Sequence, residues 1–304
     1  MKFFYLAAAL LAFHFDALAG IESDSGIQGP PYADLVKYFS SLTEKYPGFV
    51  QVNQYGTTPK GRPLTVVRIA FPSAYRIKME TRPAILISGS THGDEYLNIE
   101  DRLPEWFLKE GIYDPAISLF FKSGGMLYII PVFNPDGYDA RERSNSNGID
   151  LNRDFTVNQA HHLAFHEVET RAVRDLLVTQ TKISQQHLVL TMDYHCCIGA
   201  ALYPWSFDPA PPVPASDLAR FKTAGDIIKG AFGQNFPVGR TPIILGYSAI
   251  GTSKDYYYEN FGAISFTYEG QYQNERNKFA QHTQMWKGLI QAAMSGRSES
   301  GRSE

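Results

Sequence analysis

Two short runs in this sequence, Pro83–Ser88 and Met126–Phe133, are apolar at nearly every position and are bounded by turn residues. Such runs do not alternate like a half-exposed strand. They suit strands covered on both faces, as in a parallel sheet with helices on either side. Further strands are expected at Phe49–Tyr55, Leu64–Phe71, His187–His195 and Ala263–Glu269. Helical spacing marks other segments: Tyr32–Tyr46 carries Leu35, Phe39 and Leu42, His166–Lys182 carries Val168, Ala172 and Leu176, and Asn277–Met294 is the last helix. Strands alternating with helices indicate an α/β fold built on a mixed, mostly parallel sheet.

Composition bounds the rest. With 304 residues, 44% hydrophobic and 19% charged, the chain suits one globular domain, expected over 32–294. A net charge of −3 gives no electrostatic reason to expect nucleic acid as a partner. Lys2, the apolar run Phe3–Phe15 and Ala17-Leu18-Ala19 read as an export signal cleaved after Ala19, so a secreted or periplasmic location is expected. That run is shorter than the roughly 20 apolar residues of a membrane span, and no integral membrane segment is expected once it is removed. Residues 20–31 form a short lead. Pro209–Pro214 suits a surface loop. Residues 295–304 repeat Ser-Gly-Arg-Ser-Glu twice with no apolar residue, so disorder is expected there. The two cysteines, Cys196 and Cys197, are adjacent, and two free thiols are expected over a strained bridge between neighbours.

The chemistry gathers at His92-Gly93-Asp94-Glu95, directly after the run Ala84–Ser88. An imidazole and a carboxylate three residues apart can grip one metal ion from a single turn. The third ligand must come from a distant strand, and His195, at the end of its strand, fits. Carboxyl ends of strands line the crevice where open α/β sheets bind ligands. A second such pair, His166 with Glu169, has His162 nearby, and a solvated role on a charged helix face is expected for it.

Taken in order, His92-x-x-Glu95, Asn134-Pro135-Asp136-Gly137, Gly148-Ile149-Asp150-Leu151-Asn152-Arg153, His195 and Phe266-Thr267-Tyr268-Glu269 resemble the motifs of the zinc metallocarboxypeptidases. Gly61-Arg62-Pro63-Leu64 extends the likeness toward the start of the domain. The resemblance implies an eight-stranded mixed sheet flanked by helices, with one zinc ion at its carboxyl edge. It implies His92, Glu95 and His195 as the zinc ligands, and Asp150 as the carboxylate that fixes the first histidine's tautomer. Glu269 resembles the general base that takes a proton from the attacking water. Arg143 resembles the arginine that stabilises the oxyanion, with Arg141 as its competitor. Asn152 and Arg153 resemble the pair that clamps a substrate's terminal carboxylate, a task suited to the guanidinium fork. Tyr247 resembles the tyrosine that caps the substrate. Lys254 falls at the floor of the pocket for the substrate's last side chain, where a cation favours an acidic residue.

Asp94 replaces an arginine of the digestive enzymes and is similar to the form in bacterial murein-peptide amidases of the same family. Cys196-Cys197 replaces the usual Ser-Tyr, and Gly270-Gln271-Tyr272 replaces Leu-Arg-Asp. The implied substrate is a peptide with a free C-terminus. Three alternatives stand beside it: a peptidase of peptidoglycan stem peptides, an N-acyl amino acid deacylase and an inactive binding protein.

Overall fold

The computed structural model describes residues 29–78, 82–180, 186–271 and 275–300. The expected export signal and most of the lead therefore lie outside the described residues. Eight strands form one sheet in the order β1-β2-β4-β3-β5-β8-β6-β7. Their ranges are β1 Val50–Thr57, β2 Pro63–Ala70, β3 Pro83–Gly89, β4 Met126–Ile130, β5 His187–Cys196, β6 Ala200–Tyr203, β7 Val238–Arg240 and β8 Ile264–Gly270. The four central strands β4, β3, β5 and β8 run parallel, while β1, β2 and β6 pair antiparallel at the flanks.

The pleat explains why β3 and β4 are apolar throughout. Ile85, Ile87, Leu127 and Ile129 face one core, shared with helix α1 (Tyr32–Lys45). Ala84, Leu86, Tyr128 and Ile130 face a second core on the other side. Neither face of these strands meets water, so no alternation remains to be seen. On β5 and β8 the same pleat separates chemistry from packing. Met192, Tyr194, Phe266 and Tyr268 enter the first core. Thr191, Asp193 and His195 pair in register with Ser265, Thr267 and Glu269. Those three rungs form a polar column that ends at the carboxyl edge of the sheet.

The remaining helices are α2 (Leu103–Lys109), α3 (Pro115–Lys122), α4 (Pro135–Ala140), α5 (Val168–Asp175), α6 (Ala215–Phe232), α7 (Thr241–Leu245), α8 (Ser253–Phe261) and α9 (Phe279–Ser300). Two expectations change here. The helix expected from His166 starts at Val168, because the Asp154 carboxylate accepts the backbone N–H groups of His166 and Glu167 and holds them extended. After Asp175 it continues as a π-helical turn, Leu176–Gln180. The last helix, α9, runs on to Ser300, so residues 295–300 of the expected disordered tail are helical and 301–304 lie outside the described residues.

Helix α9 is tied to the strands beneath it by a buried polar knot. Glu275 accepts hydrogen bonds from Tyr268 at 2.7 Å, from His282 at 2.9 Å and from the Gln271 backbone N–H at 2.8 Å. Trp286, fully buried, donates to the Tyr194 hydroxyl at 3.0 Å. Burial opposes charge on Glu275, but its donors prevail and hold its pKa down to about 2. Replacing it leaves several buried donors unpaired at once. Glu275→Ala is therefore expected to cost on the order of 3 kcal/mol of stability, read from a urea unfolding midpoint.

Candidate metal centre and adjoining cavity

Strand β3 ends at Gly89, and the chain turns through Ser90, whose φ is 50°, into His92-Gly93-Asp94-Glu95. The turn closes with Glu95 N–H donating to the His92 carbonyl at 3.1 Å. Glycine is required at 93. A Cβ there would sit 2.1 Å from the Gly137 carbonyl carbon and 2.3 Å from the Tyr138 nitrogen, so the turn packs directly on the Asn134-Pro135-Asp136-Gly137 segment. That contact gives one motif a reason to accompany the other.

His92, Glu95 and His195 are buried and form a cluster able to hold a metal ion. The His92 and His195 Nδ1 atoms are 3.1 Å apart, and each lies 2.9 Å from a Glu95 oxygen. Tetrahedral donors about 2.0–2.1 Å from one zinc ion would be spaced at only slightly more than this. The far ring nitrogens are also accounted for. His92 Nε2 donates to Asp150 Oδ1 at 3.0 Å, and His195 Nε2 to Asp193 Oδ2 at 3.0 Å. Protons held at both Nε2 atoms leave both Nδ1 lone pairs facing the shared point, so the residues present fit a zinc ion.

Asp193 was not foreseen. Its signal was available, since Asp193 and His195 are two apart on a strand and must share a face. Ser88, Thr91 and Ser253 hydroxyls also donate to it, at 2.8, 3.0 and 2.7 Å.

Arg143 donates from Nη1 to Glu95 at 3.1 Å and from Nη2 to Asp150 at 2.9 Å, leaving its side chain 45% exposed toward the cavity. Arg143 lines that cavity, whereas Arg141 caps helix α4 in the left-handed conformation. The second histidine pair follows the expectation only in part. His166 is mostly exposed, but its pair partner Glu169 is fully buried, and the neighbouring buried Glu167 accepts from Asn145 and Asn147, both at 2.7 Å, bracing the loop before Gly148. Nearby, His162 bonds the Arg153 carbonyl at 2.9 Å.

A cavity of about 230 Å³ opens beside the cluster. His92, Glu95, Arg143, Asn152, Arg153, Tyr247, Lys254 and Glu269 all border it, so every expected site residue except His195 and Asp150 lines one space. Asn152 is held by the Ser253 N–H at 3.0 Å, and Tyr247 stands half exposed at the mouth. Burial pushes the Glu269 carboxyl above its ordinary value. Lys254 is 2% exposed with no hydrogen bond or ion pair to the described residues, and burial pushes its amine below its ordinary value. Cys196 also borders the cavity, and its N–H donates to Glu95 at 3.1 Å. The expectation of free thiols is corrected. Cys196 and Cys197 form a disulfide, their Cα atoms 3.1 Å apart.

The sequence pattern of zinc carboxypeptidases matches residues 35–292. The chain belongs to the zinc carboxypeptidase family. It is 29% identical over 268 residues to carboxypeptidase B of Helicoverpa zea, which covers 77% of this chain and 60% of that protein's length. An inactive metallocarboxypeptidase, ecm14 of Talaromyces marneffei, is 24% identical over 207 residues, covering 58% of this chain and 35% of that one. The solved carboxypeptidase A of Helicoverpa armigera shares the fold with a TM-score of 0.72 at 20% identity, covering 92% of this chain and 79% of that chain.

Because Asp193 orients only one ring, its loss should weaken metal binding without abolishing it. Asp193→Ala is expected to lower zinc affinity roughly 10- to 100-fold in a chelator competition, with the far-UV circular dichroism unchanged.

Proposed function

We propose that this protein is an exported zinc metallocarboxypeptidase that releases the last residue of peptides with a free terminal carboxylate, preferring an acidic residue there. One observation carries the reading: His92 and Glu95 of the donor cluster, the carboxylate of Glu269 and two cationic side chains, Arg153 and Lys254, border a single cavity. The Cys196–Cys197 disulfide supports export, since disulfides persist in oxidising compartments.

In this mechanism His92, Glu95 and His195 would hold zinc, which would supply a Lewis acid able to acidify water and polarise a carbonyl. Arg153, assisted by Asn152, receives the terminal carboxylate, which makes the enzyme cut from the end rather than within the chain. Tyr247 closes over the bound residue from the mouth. Glu269 takes the proton of the attacking water and passes it to the leaving amine. Its raised pKa suits both steps, because a stronger carboxylate base accepts a proton more readily. Arg143 faces the developing oxyanion, while its other nitrogens stay fixed on Asp150. Lys254 meets the acidic side chain.

The test is release of the last residue from matched peptides ending in Glu, Lys or Leu. Zinc-dependent release is expected, fastest from Glu and reduced on the order of 100-fold or more in Glu269→Gln. Lys254→Ala is expected to lower kcat/KM for the Glu peptide by about 2 kcal/mol or more, roughly 30-fold, and to leave the Leu peptide little changed. Burial depresses the amine's pKa, so the preference for Glu should fade as pH rises through a value below the ordinary lysine value of 10.5. An unchanged preference in Lys254→Ala would sink the acidic reading. No release from any of the three peptides, with zinc bound, would shift the substrate to peptidoglycan stem peptides.

A further inference from the structure

The turn over residues 196–199 joins β5 to β6, the two strands that flank β8 on either side. His195, the residue before it, belongs to the metal cluster and pairs in register with Glu269. The Cys196 N–H donates to Glu95 Oε2 at 3.1 Å, so the start of the turn also holds a second member of the cluster. At its other end the Gly199 N–H donates to the Glu269 carbonyl at 2.9 Å, and Ala200 pairs with Glu269 from the opposite flank. One turn thus reaches two candidate ligands and both sides of the residue that carries the base. The Cys196–Cys197 disulfide lies in this turn, with Cys196 buried at the cavity wall and Cys197 exposed. A bridge between neighbours closes almost no loop, so chain entropy gives it little effect on global stability. What it restrains is local. A small ring closes through the peptide bond that the two residues share, and it limits rotation on either side of that bond.

We propose that Cys196 and Cys197 form a redox modification site that sets the activity of the centre. With the bridge closed, the turn holds Glu95, His195 and Glu269 in their working positions; with it open, that hold loosens. The exchange partner is a dithiol. One of its thiolates attacks the Cys197 sulfur, the Sγ–Sγ bond breaks, and Cys196 leaves with the electron pair and takes a proton. The partner's second thiolate then displaces Cys197 from the mixed disulfide, which leaves two protein thiols and one partner disulfide. The reverse exchange, with a partner disulfide as oxidant, closes the bridge. The two cysteines divide the work by their burial. Cys197 is open to the reagent, while Cys196 passes the change on through its N–H to Glu95. The inference rests on the export reading above for its biological sense, because an exported chain moves from a reducing to an oxidising compartment. The peptidase is then held low where it is made and reaches full activity where it works. Opening the bridge removes no catalytic group. Its effect falls on the chemical step more than on binding, since Asn152 and Arg153 lie outside the turn.

The experiment compares three forms: the oxidised protein, the same protein reduced with a phosphine, and the double variant Cys196→Ser/Cys197→Ser. A phosphine serves as reductant because dithiols compete for zinc. Thiols are counted by alkylation and mass spectrometry, and zinc affinity is read by chelator competition beside peptide release. Reduction is expected to lower kcat about 10-fold while KM changes by less than about 2-fold. Zinc affinity should fall roughly 3- to 10-fold, with the urea unfolding midpoint unchanged. Oxidised glutathione should restore both readings, and the double variant should match the reduced protein and respond to neither reagent. Equal kcat and equal zinc affinity in all three forms would overturn the proposal, as would a bridge that yields no thiols in the folded protein. A phosphine effect repeated in the double variant would trace the loss to the reagent and overturn it as well. Loss together with a lowered unfolding midpoint would make the bridge a structural staple, with the same consequence. If the oxidised, zinc-loaded protein released nothing from any peptide, the carboxypeptidase reading would fall instead, and the zinc affinities would still decide the switch.

Discussion

Each imidazole at the head of the sheet gives its Nε2 proton to a carboxylate, and the geometry of the centre follows from that pairing. Asp150 holds His92, and Asp193 holds His195, both at 3.0 Å. With those protons pinned outward, the Nδ1 lone pairs point at each other and at Glu95, an arrangement that favours a cation between them. The carboxylates do more than orient rings. Asp150 also accepts from Arg143 and from the Asn152 backbone, while Asp193 accepts from Ser88, Thr91 and Ser253. Two side chains therefore fasten β3, the ligand turn, the Asp150 loop, β5 and helix α8 around one point.

The pleat allows this polar assembly inside an apolar fold. Along β5 and β8, alternate residues enter the core with Trp286 and α9, and the intervening ones form the column from Thr191 and Ser265 to His195 and Glu269. Buried polar groups are tolerated when they satisfy one another, as the Thr191–Ser265 contact at 2.6 Å does lower in the column. Only at the carboxyl edge does the column meet open space. There the register sets His195 beside Glu269, and the alternation fixed at Thr191 determines which side chains can reach the cavity.

The parts legible in the sequence were those with a strong local signal. Uniform apolar runs marked β3 and β4, and the order of motifs marked His92, Glu95, His195 and the cavity residues. Asp193 was readable by strand period, but a carboxylate in an apolar run is easily passed over until the histidine beside it is known to need a partner. Helix α8 gave no helical stripe because Ser253 through Tyr258 are all buried, polar residues included. Helices α2 and α3, at 7 and 8 residues, are too short to display a period. The disulfide was discounted on general strain, while the tail's composition concealed the continuation of α9 to Ser300.

The electrostatics of Lys254 are best understood through what its neighbour cannot do. Asp255 is adjacent and fully buried, the natural candidate to neutralise a buried amine. Its two oxygens are already engaged by the Ser206 backbone N–H, at 3.2 and 3.0 Å, and by the Ser206 hydroxyl at 3.1 Å. Asp255 therefore fastens helix α8 to the strand-end loop and forms no ion pair with Lys254. Glu269 and Asp193 are the other carboxylates acting on the amine, and Glu269 borders the same cavity. With Arg153 close enough to depress the amine further, the pocket holds two cations whose charges the local fold does not fully answer. A buried cation without a close partner lowers stability. On the proposed reading, a ligand completes the pocket by bringing two carboxylates of its own, one for Arg153 and one for Lys254.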